Sequence, residues 1–301
     1  MWDSRDMTLT IALAQLNSTA DLEANYALVR DQARRASEAG AAVVVFPEAT
    51  MCAFGNPLAG VAEPLDGPWA ERIRALSAEL GITTVHGMFT PGEGSRVRNT
   101  LLATGPAVEA SYDKIHLYDA FGFAESDAVT AGDSIATFEV GGTVFGLSTC
   151  YDVRFPDLYR ATTAAGAKVN IVCASWGDGP GKAAQWDALI RARALDTTTF
   201  IIACDQADPA ASGRPASGPA PLGVGHSAVI SPLGRTLAAS EPGPSLLVAD
   251  LDLEGVDAAR AALPVLANRR DFDAHGTAAA PAGPPAGPPA GSTADARADR
   301  A

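Results

Sequence analysis

Apolar residues along this chain fall into short runs that alternate with amphipathic stretches. Residues 9–16 alternate loosely and predict a first strand. Asp21 then stands where it can cap a helix whose apolar positions Leu22, Tyr26, Val29, Ala33 and Ala36 step by four and three, and Gly40 ends it. A continuous apolar run at 42–46 predicts a buried strand. After an irregular segment at 51–67, Pro68 opens a second helix that runs to Leu80 and stops at Gly81. Residues 83–88, 99–104 and 107–112 read as strands, 121–133 as a loop, and 135–140 with 143–148 as a hairpin about Gly141-Gly142. A helix at 156–165, a strand at 169–174, a helix at 183–196 and a strand at 199–205 continue the alternation. A Pro/Gly/Ala-rich loop at 207–225 precedes strands at 226–230, 235–239 and 246–250 and a short helix from Leu253.

The alternation predicts an α/β fold, and no break in composition before about residue 273 favours one domain over two. No internal repeat is legible. Beyond Phe272 the chain has no large apolar residue and is rich in Pro, Gly and Ala, so it cannot bury enough surface to offset its ordering entropy. The expected partition is an N-terminal extension at 1–7, a folded domain at 8–273 and a disordered tail at 274–301.

Composition narrows the function classes. Of 301 residues 47% are hydrophobic, ample for a core, whereas the net charge of −13 and pI near 4.7 would repel nucleic acid or an anionic membrane surface on average. No apolar stretch is long enough for a membrane span, and the charged start Met1-Trp2-Asp3-Ser4-Arg5-Asp6 lacks the form of a signal peptide. Cys52, Cys150, Cys173 and Cys204 show no C-x-x-C pairing. Free thiols in a reducing compartment, hence a cytoplasmic protein, are expected.

Three residues of reactive type each end an apolar run. Thr143-Val144-Phe145-Gly146-Leu147 leads into Ser148-Thr149-Cys150-Tyr151-Asp152-Val153-Arg154-Phe155-Pro156, after which the pattern turns helical. A thiol where a buried strand gives way to a helix is exposed by the turn and faced by backbone N–H groups, which suits a nucleophile. Val43-Val44-Val45-Phe46-Pro47-Glu48-Ala49 delivers a carboxylate in the same way, and Tyr112-Asp113-Lys114-Ile115-His116-Leu117-Tyr118-Asp119 delivers an ammonium. A thiol is mostly protonated at neutral pH and needs a base or a neighbouring cation; Glu48 and Lys114 are candidates for the two parts. Taken singly, each has a plainer reading: a core cysteine, a surface-paired carboxylate, a solvated edge lysine.

With their spellings F-P-E-A, Y-D-K-I-H-L-Y-D and C-Y-D-V-R-F-P in this order, the three segments resemble the nitrilase superfamily of carbon-nitrogen hydrolases and are similar to its ω-amidase-like branch, over residues 8 to about 273. The resemblance implies a four-layer αββα sandwich of two mixed β-sheets, usually paired as a homodimer or larger homo-oligomer, with no cofactor and no metal. It implies that Glu48, Lys114 and Cys150 form a triad and that Glu125 supports it. The Tyr151 N–H would join Lys114 around an oxyanion, Arg154 would grip a substrate carboxylate, and Trp176 would wall the pocket. Cys52 and Phe54 are further candidates for the lining. The loop 177–186 departs from the branch's wording, with Gln185 where His is common. The implied reaction is hydrolysis of a small linear amide, a dicarboxylate monoamide first, to carboxylate and ammonia through a thioester on Cys150.

N-carbamoyl amides or nitriles are alternative substrates, although nitrile-cleaving members more often carry Trp and Glu where Tyr151 and Asp152 stand. A Cys-His hydrolase would use His116 or His226 as base. The glycines at 177–181 lack phosphate-loop spacing, and those at 223–225 precede a strand where a dinucleotide loop would open a helix. The histidines and cysteines show no metal-ligand spacing. A non-catalytic small-molecule binder on the same fold is the remaining alternative.

Overall fold

Strands β1 (Thr8–Gln15), β2 (Val43–Val45), β3 (Thr83–Pro91), β4 (Val97–Gly105) and β5 (Val108–Asp113) build most of a first sheet, with helices α1 (Leu22–Glu38) and α2 (Pro68–Leu80) between them. A two-residue hairpin follows, β6 (Asp119–Ala120) and β7 (Phe123–Ala124). The second sheet takes β8 (Thr137–Val140), β9 (Thr143–Thr149), β10 (Val169–Ala174), β11 (Phe200–Asp205), β12 (Ala228–Ile230) and β13 (Thr236–Ala239), with α3 (Pro156–Ala164) and α4 (Lys182–Thr197) among them. Strand β14 (Ser245–Asp252) returns to the first sheet, and α5 (Glu254–Ala262) closes the order. The computed structural model describes residues 8–120, 122–213 and 220–270. Every labelled element falls within a unit spanning Met1–Asn268. The expected extension at 1–7 and tail at 274–301 lie outside the described residues.

The sheets run β14-β1-β2-β3-β4-β5 and β8-β9-β10-β11-β12-β13. Each holds three parallel strands, β1-β2-β3 or β9-β10-β11, flanked on one side by one antiparallel strand and on the other by two. The two sheets therefore share a pattern of strand directions that no sequence repeat disclosed, although the lone flanking strand is β14, last in the chain, in one and β8, next to β9 in the chain, in the other.

Side-chain alternation explains the layers. Ile11, Leu13, Val43, Val45, Val85 and Leu101 point from the first sheet into a core shared with Phe145, Leu147, Ile171 and Ile202 of the second. Their neighbours Ala12, Ala14, Val44 and Leu102 point the other way, against Val29, Ala33, Ile73 and Leu76 of α1 and α2. Helices α3 and α4 cover β9 and β11. The architecture is the expected α/β sandwich, helix, sheet, sheet, helix. Parallel strands covered on both faces read as unbroken apolar runs, which is why β2 and β10 carry no polar alternation.

The predicted elements coincide with the observed ones to within a few residues. The largest difference is at β3, which extends to Pro91 where the pattern suggested an end near Met88, because antiparallel pairing with β4 persists through Pro91↔Val97. The predicted loop at 121–133 contains the second strand of the small hairpin and a 3₁₀ turn at Glu125–Asp127. Among the described residues no helix is long and apolar enough to cross a membrane.

Candidate active site

The carboxyl ends of β2, β9, β10 and β11 meet over the interface between the sheets, and the residues just beyond them face one another. After β2 the chain turns at Pro47-Glu48-Ala49, with Ala49 in the left-handed region at φ 56°. The turn lies directly on Gly87 of β3: a β-carbon there would stand 2.6 Å from the Ala49 nitrogen and 2.9 Å from Glu48 Cα, so only glycine fits beneath the glutamate. Cys150 follows β9 with φ 47° and opens a 3₁₀ turn, Cys150–Arg154, that leads into α3. This is the strand-to-helix elbow expected of it. Tyr151 is second in that turn, so its N–H has no carbonyl partner inside it.

Lys114 follows β5 and is buried between two carboxylates. Its Nζ lies 3.0 Å from Glu48 Oε1 and 2.9 Å from Glu125 Oε2, and all three side chains are at most 6% exposed. Glu125 is pinned in turn by the Tyr118 N–H, which donates to its Oε2 at 2.7 Å. The Ser175 N–H donates to Glu48 Oε2 at 2.8 Å, while the Ser175 carbonyl accepts from Cys150 Sγ at 3.8 Å. One residue thus links the thiol and the carboxylate. Burial, reinforced by the Glu125 charge, lifts the Glu48 carboxyl above its ordinary value against the pull of Lys114. Burial also pushes the Cys150 thiol well up, the Glu48 charge adding to it. Lys114 holds its proton more tightly than usual, because the two carboxylates outweigh the burial that opposes it. The resting arrangement is a neutral thiol beside a base strengthened by burial, with a cation fixed between two anions.

Glu48, Lys114, Glu125, Cys150, Tyr151, Arg154 and Trp176 all line one cavity of about 210 Å³, together with Phe54. Every residue that the resemblance assigned to the triad, its support, the oxyanion site or the pocket wall is therefore brought to one place, with Phe54. Cys52 is not: it is buried with Phe89, Val97 and Val129 in a separate apolar cluster, so the expectation that it lines the pocket is corrected. The alternative bases also lie elsewhere. His116 Nδ1 is 2.7 Å from Asp152 Oδ1, with its ring stacked on Phe155, and His226 is 3.4 Å from Asp187 beside a different cavity. Arg154, with Asp152 and Asp157 close by in sequence, pairs with neither in the structure described; it donates from Nη2 to Gln185 Oε1 at 2.7 Å and lies over the Trp176 ring.

Several residues of the site carried no local signal in the sequence. Asn99 of β4 donates from Nδ2 to Glu48 Oε1 at 2.7 Å and reaches Glu125 Oε1 at 3.4 Å. Asp205, fully buried at the end of β11, accepts from the Trp176 and Val224 N–H groups and fixes the wall opposite the thiol. Asp152 accepts from the Thr149 and His116 N–H groups and from the Tyr112 hydroxyl, tying the elbow of Cys150 to both flanks of Lys114. Apart from Thr149, three residues before Asp152, their partners lie 19 to 51 residues away in the chain, so only a three-dimensional arrangement reveals them.

The carbon-nitrogen hydrolase family profile matches residues 10–261. A protein of Mycobacterium tuberculosis named as a hydrolase is 52% identical over 270 residues, covering 88% of this chain and 96% of its own. The deaminated glutathione amidase of Escherichia coli O157:H7 is 35% identical over 267 residues, covering 87% and 97%. Among solved structures, a mutant of the amidase from Nesterenkonia sp. AN1, whose active-site cysteine carries the acetamide moiety of fluoroacetamide, superposes with a TM-score of 0.73 at 27% identity, covering 87% of this chain and 94% of that one.

Proposed function

The chain belongs to the carbon-nitrogen hydrolase family of the nitrilase superfamily, and from that premise we propose that it hydrolyses a small linear amide bearing a carboxylate away from the scissile bond, through a thioester on Cys150. It is a hydrolase of carbon-nitrogen bonds other than peptide bonds. In the proposed sequence Glu48 takes the thiol proton as sulfur attacks the amide carbon. Lys114 Nζ and the Tyr151 N–H hold the oxyanion. Collapse breaks the C–N bond, and the amine leaves with the proton stored on Glu48. Water, deprotonated by Glu48 in its turn, cleaves the thioester to a carboxylate and restores the thiol. Glu125 keeps Lys114 charged and in place throughout.

The observation that carries the substrate reading is the placement of Arg154. Its guanidinium lines the same cavity as Cys150 and contacts the neutral Gln185 amide and the faces of Trp176 and Tyr151, so its charge is available to a ligand. Monoamides of dicarboxylic acids fit a thiol at one end and a guanidinium at the other. A panel measuring ammonia release from succinamate, glutaramate, α-ketoglutaramate, an N-carbamoyl amino acid, acetamide and an aliphatic nitrile, run beside Cys150→Ala, tests this. Turnover of the monoamides and none by the variant supports it. Preference for the carbamoyl compound, acetamide or the nitrile, or activity surviving in Cys150→Ala, overturns it.

Two further expectations are carried as part of the proposal. All four cysteines are free thiols, which supports a reducing, cytoplasmic setting. Exposed Leu195, Leu233 and Leu237 support pairing of chains, which light scattering would test.

A further inference from the structure

Ser175 lines two cavities. One is the active-site cavity; the other, of about 100 Å³, is lined also by Asn17, Ser18, Ala53, Gln206, Pro209 and Leu222. Ser175 Oγ donates to the Pro221 carbonyl at 2.8 Å, and Pro221 lines the first cavity while its neighbour Leu222 lines the second, so the two adjoin at this contact. Asn17, Ser18, Ala53 and Leu222 are half-buried, and through them the second cavity opens to solvent. Its wall is polar and tied to the base. Gln206 donates from Nε2 to the Glu48 carbonyl at 2.9 Å and to Ser18 Oγ at 2.8 Å, and its Oε1 accepts from the Ser18 N–H at 2.9 Å. Beyond these bonds Ser18 Oγ, Ser175 Oγ and Gln206 Oε1 keep acceptor capacity. One water needs only about 10–15 Å³ of such space and two to four polar partners, so this cavity has room and partners for several.

Glu48 presents one oxygen to this side. Among the described residues Oε1 accepts from Asn99 Nδ2 and Lys114 Nζ, whereas Oε2 accepts from the Ser175 N–H and retains an acceptor site. The oxygen with capacity for a proton is therefore the one bonded to the residue that the two cavities share, and the carbonyl of that same residue accepts from Cys150 Sγ. From this arrangement we infer that the second cavity is a water-binding site that supplies the hydrolytic half of the reaction from behind the acyl group. An acyl chain running from Cys150 towards Arg154 lies along the active-site cavity and displaces solvent on that side while the thioester exists. Water from the second cavity passes Ser175 and gives a proton to Glu48 as its oxygen bonds the thioester carbon. The C–S bond then breaks and the proton passes to sulfur. The inference rests on the thioester reading above and adds the source of its water.

The test follows nitrophenol release from 4-nitrophenyl acetate and mono-4-nitrophenyl glutarate after rapid mixing, the burst reporting acylation of the thiol and the slow phase hydrolysis of the thioester. Activated esters acylate a reactive thiol whichever amide is the natural substrate. Ala53→Leu and Leu222→Trp narrow the second cavity from two separate segments, and a burst kept within about twofold of wild type shows that the active site is intact. Each variant should slow hydrolysis of the glutaryl thioester about tenfold, part of the roughly 100- to 10,000-fold that a positioned base and its water supply. The acetyl thioester leaves the active-site cavity open to solvent, so its hydrolysis should change by less than about twofold. A slow phase unchanged in both variants, slowed alike for the two acyl groups, or a burst lost in both variants overturns the inference while leaving the thioester reading in place. No burst from the glutarate ester in the wild-type protein, or the same burst in Cys150→Ala, overturns that reading and this inference with it.

Discussion

Replacing Asp152 with alanine should cost both stability and activity, and the size of each can be worked from its contacts. The carboxylate is fully buried and accepts from the Tyr112 hydroxyl at 2.7 Å, the Thr149 N–H at 2.9 Å, the His116 N–H at 3.0 Å and His116 Nδ1 at 2.7 Å. Water can reach His116, but the Thr149 and Tyr112 donors are buried, and each left orphaned costs about 1–3 kcal/mol. Relief from burying a carboxylate offsets part of this, leaving a net loss of roughly 2–4 kcal/mol. For a domain of this size that corresponds to a fall in Tm of about 5–15 °C. Asp152→Asn keeps the volume and one acceptor oxygen, so it should lose about half as much. Both variants should lower kcat more than they raise KM, because the carboxylate ties Thr149, which precedes the nucleophile, to residues on either side of Lys114, and an error of about 1 Å in such placement can cost roughly a hundredfold. Calorimetric unfolding and amide turnover on the same preparations check this. An Asp152→Ala protein melting within about 2 °C of wild type with unchanged kcat would refute the reasoning.

Three further outcomes follow from the same contacts. Asn99→Ala removes the donor to Glu48 Oε1 and should lower kcat/KM about 10- to 100-fold with the fold intact by circular dichroism; a change under twofold would count against it. Glu48 must be ionised to accept a proton and its carboxyl is raised above 4.5, so the acid limb of kcat/KM against pH should lie above 4.5, activity falling as pH drops through it; a limb at or below 4.5 would remove Glu48 as the base. His86 is fully buried with neither ring nitrogen hydrogen-bonded, and burial holds it at about 3 against an ordinary 6.5. Below pH 6.5 the unfolded chain therefore takes up a proton the folded one refuses, and stability should decline from there toward pH 3 by up to roughly 5 kcal/mol. His86→Leu should flatten that decline, and a parallel pH dependence of Tm in the two proteins would contradict it.

What was legible in the sequence was what is local. Glu48 and Cys150 follow apolar runs because the parallel strands that deliver them are buried on both faces, and Lys114 follows the antiparallel β5 with its own N–H donating to the Asn99 carbonyl of β4. Glu125 was legible as a support of Lys114 only through the resemblance, its local pattern being that of a loop acid, and the fold brings its turn back onto Lys114. Asn99 within β4, Asp152 in the turn after β9 and Asp205 at the end of β11 were unreadable as site residues for the opposite reason: such residues are commonplace in strands and turns, and most of their partners come from other segments of the chain. Cys52 shows the converse error. Its closeness to Glu48 in sequence suggested the cavity, but the turn at Ala49 sends the chain away and buries the thiol beneath Phe89. Lys182 and Gln185, in the first turn of α4, belong to the stretch where the chain departs from its branch's wording, so the resemblance had least to say there.

The central claim is that the Cys150 sulfur becomes acylated in the presence of Glu48 and Lys114. Acid-quenching wild-type protein during turnover of a monoamide and mapping its peptides by mass spectrometry tests this most directly. An acyl mass on the peptide containing Cys150, absent from Cys150→Ala and diminished in Glu48→Gln, is the predicted result; continued turnover with Cys150 unmodified, or an acyl group on another residue, would contradict it.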